Sequence, residues 1–212
     1  MLPPDATLDE IRTALAARVA ANAAFDGWGE AAVTTAAQME GVDSGIALLA
    51  FPGGAIDQVD AWFESIDARM ITVPLAGLKV REKIIALVEA RLDALAPDRE
   101  SLRRALAIMA MPQNVARAAK LGWRTVDRMW RAAGDTATDY NHYTKRLTLG
   151  AIYTATCVVL LDDDSEGHAD TRAFLRRRID ELMRFEKSKA QFLAREHFSV
   201  SRFIGRLRYP AV

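Results

Sequence analysis

Four polar side chains near residue 140 have the spacing of a small binding patch on one helix face. Asp139, His142, Tyr143 and Arg146 follow at i, i+3, i+4 and i+7, and at about 100° per residue these positions share a face. The same stripe continues in mostly apolar residues: Leu149, Tyr153, Cys157 and Leu160. Such a stripe can lead from a surface patch into a core, but a capped helix with a solvated first turn shows the same pattern.

The other side chains capable of chemistry do not form a catalytic or metal-binding set. His142, His168 and His197 have no histidine or cysteine four positions on, which argues against a transition-metal site. The acidic run 162–166 lacks the ligand spacing of an EF-hand loop, so an exposed turn between helices is expected. Cys157 has no histidine near it in sequence and is typical of a core residue. The sequence therefore predicts no catalytic residue, no metal, no cofactor and no enzymatic activity.

An apolar, methionine-rich wall is expected where the sixth and seventh helices face residues 149–161. Methionine adapts to irregular or flexible ligands, so the wall is a candidate site for a bound isoprenoid quinone or phospholipid. The candidate lipid-binding residues are Leu106, Met109, Met111, Trp130, Leu149, Tyr153 and Leu160, with Leu102, Ile108 and Met129 beside them. A close-packed core needs the same residues, and that alternative stays open because a sequence does not show a void.

The last segment of the chain has a basic amphipathic face. At about 100° per residue its apolar side chains fall within an arc of about 120°, with arginines beside them. The predicted membrane-contact residues are Phe192, Leu193, Arg195, Val200, Arg202, Phe203, Ile204, Arg206 and Leu207. On such a face, apolar burial and attraction to anionic lipid act together. The alternative is a helix that docks on its own domain or on a second subunit.

Caps and breakers divide the chain into helices joined by short linkers. Few glycines and prolines, and no alternating Val/Thr/Tyr runs, favour helix nearly throughout the 212 residues. Thr7 caps the first helix, and Glu10 completes a capping box. The expected helices run from Thr7 to about Phe25, Ala31 to Met39, Ser44 to Ala50, Pro52 to Ile71, between Pro74 and Pro97, Asp98 to Met111, Pro112 to about Trp130, Thr136 or Thr138 to about Asp162, His168 to about Ala190, and on to Leu207.

Composition limits the compartment and the class of protein. A single cysteine, Cys157, excludes an intramolecular disulfide and fits a reducing compartment. No stretch approaches about 18 uninterrupted apolar residues, so no membrane span is predicted. The first 15 residues carry acidic side chains and only Arg12, unlike a secretory signal or an arginine-rich transit peptide. These features predict a cytoplasmic protein, either bacterial or the mature form of an organellar chain.

The front of the chain has the order and spacing of a helix-turn-helix. Gly27 and Trp28 end a first helix, residues 41–43 make the turn, and residues 44–50 make a short recognition helix. This run resembles the N-terminal module of TetR-type regulators at the Gly-aromatic pair, Val33, Ala36-Ala37, Gly41-Val42, Gly45 and Phe51. The resemblance implies an all-α, TetR-like regulator fold. Residues 1–51 would form the helix-turn-helix module, 52–190 a helical ligand-binding and dimerisation bundle, and 191–212 a terminal amphipathic helix.

This module lacks the charge of a DNA-binding protein. Residues 19–68 hold eight acidic residues and no lysine or arginine. Leu48, Ala50 and Gly54 stand where the TetR family usually carries Tyr, His and Lys. Because duplex affinity is mostly counterion release by lysine and arginine, no nucleic-acid binding is expected. The positive charge lies in residues 172–208, with eleven basic and four acidic residues, so this end is expected to meet an anionic surface and the acidic front to face away from the membrane.

The string from Trp130 to Arg146 carries a second, more specific resemblance. It reads Trp-x-x-Ala-Gly-Asp-x-x-Thr-Asp-x-Asn-x-Tyr-Thr-Lys-Arg and is followed by Tyr153, residues 162–165, Phe174-Leu175, Arg177 or Arg178, and Ile179. Over about residues 75 to 190 this pattern resembles the Coq-nine family of ubiquinone-biosynthesis accessory proteins. The TetR-like front end agrees with the fold of that family.

The resemblance implies a non-enzymatic, homodimeric, lipid-binding protein. The family is thought to present quinone intermediates to the membrane-bound di-iron demethoxyubiquinone hydroxylase. Its partner-binding patch corresponds to Met129, Trp130, Asp139, His142, Tyr143 and Arg146 of this chain. His142 departs from the tryptophan usual in eukaryotic members, so another quinone-biosynthesis enzyme stays open as the partner.

Two functions of different class follow from the sequence. The first is a lipid-presenting accessory protein, peripheral on the inner membrane of a bacterium, or on the matrix side of the mitochondrial membrane for a eukaryotic chain. The second is a ligand-responsive transcriptional regulator of TetR type, with an effector in the same pocket. The uncharged recognition helix favours the first.

Overall fold

The computed structural model describes residue 3, residues 5–136 and residues 140–194, with side chains described for all of these except 140, 141 and 186–194. Thr138, one of the two predicted caps of the eighth helix, lies outside this part. Within it the chain forms nine α-helices and no strand, which confirms the all-α prediction. They are α1 Leu8–Asp26, α2 Glu30–Glu40, α3 Ser44–Leu49, α4 Ala55–Met70, α5 Val80–Leu95, α6 Arg99–Ala110, α7 Val115–Ala132, α8 Tyr140–Leu161 and α9 Ala169–Ala194.

Local signals set the ends of the first three helices. Thr7 Oγ1 accepts from the Glu10 backbone N–H at 3.3 Å, and the Glu10 carboxylate accepts from the Thr7 N–H at 2.8 Å, so the predicted capping box is present. Gly41 ends α2 in the left-handed region at φ 70°, where glycine meets no steric penalty. Asp43 then caps α3 by accepting from the Ile46 N–H at 3.0 Å.

The helix-turn-helix joins the rest of the molecule through tryptophan. Trp28 and Trp62 pack with ring centroids 5.5 Å apart, and Trp28 Nε1 donates to the Ser101 carbonyl of α6 at 3.0 Å. Ser101 in turn donates through its hydroxyl to the Ala20 carbonyl of α1 at 2.6 Å. These contacts are buried, so α1, α4 and α6 share one continuous core.

The acidic residues of α4 face arginines of α7. Asp57, Asp60, Glu64 and Asp67 share a face of α4, and Arg117, Arg124 and Arg128 share a face of α7. The cross-helix pairs are Asp57 with Arg117, Asp60 with Arg124 at 2.7 Å, Glu64 with Arg128 at 3.4 Å and Asp67 with Arg128 at 3.3 Å. Four of the eight acidic residues of segment 19–68 are thus paired with arginines, and three of them, Asp57, Asp60 and Asp67, have side chains at most 16% exposed.

The turn from α8 to α9 is organised by one buried carboxylate. Asp163 accepts from the Ser165 N–H at 2.9 Å and from the Thr171 N–H at 2.8 Å. Its neighbours Asp162 and Asp164 are exposed and pair with Arg103 and Arg99. The acidic run is therefore a turn between helices, as predicted, but its central residue is buried, in contrast to the exposed turn that was expected. Helix α9 then continues to Ala194, past the predicted end near Ala190.

Candidate functional site

A cavity of about 750 Å³ lies between α6, α7 and α8, and Phe63 of α4 and Arg91 of α5 contribute to its wall. Most of the lining is apolar, from Leu102, Leu106 and Met109 on α6 to Val126 on α7. The sequence left open whether this wall was plain core or a cavity. The structure shows a cavity of a size that suits a small organic ligand.

Small residues on α7 and α8 keep the cavity open. Gly122 of α7 and Gly150 of α8 both line it, and a Cβ built on Gly122 would meet no atom within 4 Å. Alanines 118, 119, 151 and 155 line it as well. Close-packed interiors normally fill such space with larger side chains. The small residues on α7 and α8 therefore leave room for a bound ligand.

Polar contacts at both ends of α8 attach it to α6 and α7. At the start of the helix, Arg146 Nε donates to Asp127 of α7 at 2.7 Å, and Trp130 Nε1 donates to the Lys145 carbonyl at 3.2 Å. At its end, Arg103 of α6 pairs with Asp162 at 2.8 Å. The residues of α8 that line the cavity lie between these two contacts.

The predicted lipid-binding residues divide into two groups. Leu106, Met109 and Tyr153 line the cavity. Met111, Trp130, Leu149 and Leu160 do not: Met111 is exposed beyond the end of α6, and the other three are buried in the surrounding core. The face of α7 that carries Ala118, Gly122 and Trp123 was missed, because sequence analysis took Met129 and Trp130 as the wall. The sequence signal that could have identified this face was the pair of small residues Ala118 and Gly122 on α7.

The predicted partner patch is likewise split by burial. Met129, Trp130 and Arg146 are 0%, 4% and 1% exposed, so the predicted residues do not share one exposed surface in this structure, and their role in partner binding stays a prediction. The physical reason is that Arg146 is drawn inward by Asp127 and Asp135, which it contacts at 2.7 and 3.1 Å. Asp139 lies outside the described residues.

An aromatic cluster remains accessible beside the cavity. Tyr143 is 57% exposed, and its ring lies 5.9 Å from the ring of Trp123 and 5.1 Å from that of His142. Trp123 also lines the cavity, as does the exposed Leu147. The accessible part of the predicted patch therefore lies next to the open side of the cavity.

One corner of the cavity wall is polar. Arg91 is fully buried; its Nε donates to the Tyr153 hydroxyl at 2.6 Å, and its Nη1 is paired with Asp67. Asp67 also accepts from the Thr125 hydroxyl at 3.1 Å. Burial raises the pKa of Tyr153 well above its usual value and raises the pKa of the neighbouring Cys157 to about 11. Both side chains therefore stay protonated near neutral pH.

The predicted membrane-contact side chains lie outside the described residues: Phe192, Leu193, Arg195, Val200, Arg202, Phe203, Ile204, Arg206 and Leu207. Among the helices that are described, none is long and apolar enough to cross a membrane. The described residues hold no cluster of three or more His, Cys, Asp or Glu side chains placed to bind a metal ion.

Comparison with known proteins relates this site to a family. The COQ9 family profile matches residues 115–186, which run from the start of α7 into α9. The mitochondrial ubiquinone biosynthesis protein COQ9 of Rattus norvegicus is 32% identical over 167 residues, covering 74% of this chain and 54% of the rat protein. COQ9 of Homo sapiens is 43% identical over 96 residues, covering 45% of this chain and 30% of the human protein. The chain spans about half the length of the rat relative.

The fold has a counterpart among solved structures. A TetR transcriptional regulator from Nitrosomonas europaea ATCC 19718 superposes with a TM-score of 0.65 and 27% identity, over 82% of this chain and 98% of that one. This confirms the predicted TetR-like fold. Residues 115–186 thus match the COQ9 family, and the chain has a TetR-like fold and is similar in sequence to the COQ9 ubiquinone biosynthesis proteins.

Proposed function

We propose that this protein is a non-enzymatic accessory factor of ubiquinone biosynthesis. It would hold an isoprenoid quinone intermediate in the cavity between α6, α7 and α8 and present it to a membrane-associated di-iron hydroxylase. The observation that carries the proposal is the coincidence of an apolar cavity of about 750 Å³ with the segment that matches COQ9. A role in ubiquinone biosynthesis is what the names of the relatives state.

The cavity suits part of a long isoprenoid lipid. Its volume lies within the range of about 300–1,000 Å³ found for small-molecule sites. A quinone ring with the first isoprene units fits such a space, and a longer tail would leave through the side where Leu147 and Ala151 are exposed. A site that encloses only part of its lipid favours transfer at a membrane over long-range carriage.

Presentation to a partner is supported by the position of Tyr143. This exposed ring and Trp123 are in contact, and Trp123 lines the cavity. A partner that binds Tyr143 would therefore lie beside the open side of the lipid site. Exposed aromatic rings are common anchors of protein interfaces.

Membrane contact is proposed for the basic segment 191–212, which would bring the cavity to the inner membrane of a bacterium or to the matrix face of the mitochondrial membrane. The sequence pattern of arginines flanking an apolar arc supports this. A homodimer is part of the same proposal. The exposed apolar side chains Val158 on α8 and Phe185 on α9 are available for its interface.

The alternative is a TetR-type transcriptional regulator, and the regulator from Nitrosomonas europaea is what favours it. The surface of α3 argues against a regulator. That helix exposes Ile46 and Leu49, whereas the recognition helix of a DNA-binding protein needs cations and polar donors. Tight duplex binding in a gel-shift at low salt would support the regulator instead.

Lipid extraction from the purified full-length chain tests the proposal. Mass spectrometry of the extract is expected to show an isoprenoid quinone or its precursor at a substantial fraction of one per chain. Repeated preparations without any isoprenoid or acyl lipid would contradict it.

A further inference from the structure

The cavity is polar at its buried corner and apolar at its open side. The lining residues that are buried include Arg91, Tyr153 and Cys157. The exposed lining residues are apolar except for Thr154: Ala110, Ala119, Leu147, Ala151, Thr154 and Ala155. A lipid that rests with its head group in solvent would need the reverse arrangement, because polar groups are costly to bury unless they form hydrogen bonds.

Arg91 at the buried corner has a hydrogen-bond donor that is not paired with any described residue. Among the three guanidinium nitrogens of Arg91, Nε donates to the Tyr153 hydroxyl and Nη1 donates to Asp67 and to the Phe63 carbonyl. Nη2 is buried and has no partner among the described residues. A buried donor without a partner is destabilising, so a ligand oxygen that accepts from this nitrogen would stabilise the structure.

Tyr153 is the donor that a ligand meets first. Its hydroxyl oxygen accepts from Arg91, and its phenolic proton is directed to the Cys157 sulfur, a weak acceptor that a ligand oxygen can replace. The rings of Phe63 and Tyr153 cover the guanidinium, with its central carbon 5.0 and 5.4 Å from their centroids. A ligand oxygen therefore reaches the Tyr153 hydroxyl before it reaches Nη2.

The charge balance of the corner selects an uncharged head group. Arg91 is paired with the buried Asp67, whereas Arg124 and Arg128, which also lie near Asp67, have Asp60 and Glu64 as further partners. No uncompensated cation faces the cavity at this corner, and a phosphate or carboxylate brought here would lose its hydration without gaining a full counter-charge. A carbonyl, methoxy or phenol oxygen needs only the donors that are present.

We infer that the Tyr153–Arg91 pair is a subsite for the oxygen of an uncharged aromatic or quinone ring, so the lipid lies ring-inward with its isoprenoid tail toward the open side. This inference rests on the proposed function and adds the polarity of binding. Cys157 is next to the subsite, and as a protonated thiol it does not attack an electrophilic ring.

Infrared spectroscopy of the full-length chain with a short-chain ubiquinone, labelled with ¹³C at one ring carbonyl at a time, tests the subsite. In the wild type, one labelled carbonyl is expected to absorb at lower wavenumber than the same quinone in hydrocarbon solvent. Tyr153→Phe should remove much of that shift and weaken binding about 2- to 10-fold, as expected for one neutral hydrogen bond. Thr148→Val removes an exposed hydroxyl of α8 outside the cavity lining and should leave the band in place.

The outcomes separate the subsite from the proposed function. A quinone that binds the wild type with both carbonyls unshifted overturns the subsite and leaves the lipid-binding function standing. An unchanged shifted band in Tyr153→Phe overturns the role of this pair. Failure of the wild type to bind the quinone at all overturns both. The wild-type spectrum needs no variant, so a folding defect in Tyr153→Phe would not prevent a decision.

Discussion

At the scale of single residues, Asp163 shows how a carboxylate in an acidic run can be structural. Burial alone would raise its pKa, but hydrogen bonds from Ser165 and Thr171 outweigh burial and hold the pKa of Asp163 far below its ordinary value. A folded-state pKa below the unfolded one gives stability that is present above about pH 4 and is lost as the pH falls toward the folded pKa. The α8–α9 turn should therefore weaken in acid.

Asp163→Ala is expected to lower the free energy of unfolding by about 1–2 kcal/mol at pH 7, as for loss of a helix cap. Urea titrations at pH 7 and below pH 4 measure this, and the difference from the wild type should shrink in acid. Asp164→Ala is the matched control, since Asp164 is 88% exposed in its side chain and its ion pair with Arg99 is worth at most about 1 kcal/mol. Equal losses in the two variants would contradict this role for Asp163.

At the scale of elements, the contact between α4 and α7 pairs an acidic stripe with a basic stripe. The sequence shows both stripes but does not show that they face each other. Both stripes are visible in the sequence, as Asp57 to Asp67 on α4 and Arg117 to Arg128 on α7. The buried centre is Asp67, which lies near Arg91, Arg124 and Arg128. Removing a partner from a buried pair leaves an uncompensated charge, which costs far more than loss of an exposed pair.

Asp67→Asn is expected to destabilise the protein by about 3–5 kcal/mol, measured as a lower urea midpoint at neutral pH. Glu40→Gln is the control, because it breaks a well-formed 2.7 Å pair with Arg18 on the surface and should cost about 1 kcal/mol or less. If both variants lost stability equally and only slightly, the α4–α7 pairing would not contribute as described.

The elements differ in how far the sequence predicted them. Helix ends at Thr7 and Gly41 were predictable because caps and left-handed glycines act within a few residues. The pairing of Asp67 with Arg128 was not, because contacts between distant helices depend on packing that no local pattern specifies. Some residues of the cavity wall could be predicted from the sequence and others could not. Leu106 and Met109 were identified, whereas Gly122 was not, since a glycine within a helix can be present for several structural reasons.

At the scale of the whole molecule, a TetR-like scaffold has a recognition helix, α3, without a basic residue. Arg12 is one of two basic residues in the first 68, and it binds the Ala50 and Asp57 carbonyls inside the fold. The helix-turn-helix thus keeps its packing while α3 carries no cation. What distinguishes the molecule is the cavity behind this module, which α7 and α8 of the segment that matches COQ9 line together with α6.

Native mass spectrometry of a cavity-filling variant tests the central claim, that the lipid lies between α6, α7 and α8. Gly122→Phe places a ring in the space beside Gly122, whereas Lys120→Phe adds the same ring at an exposed position of α7 outside the lining. The wild type and Lys120→Phe are expected to carry bound isoprenoid lipid to the same extent, and folded Gly122→Phe to carry little or none. Equal lipid occupancy in all three proteins would contradict the account.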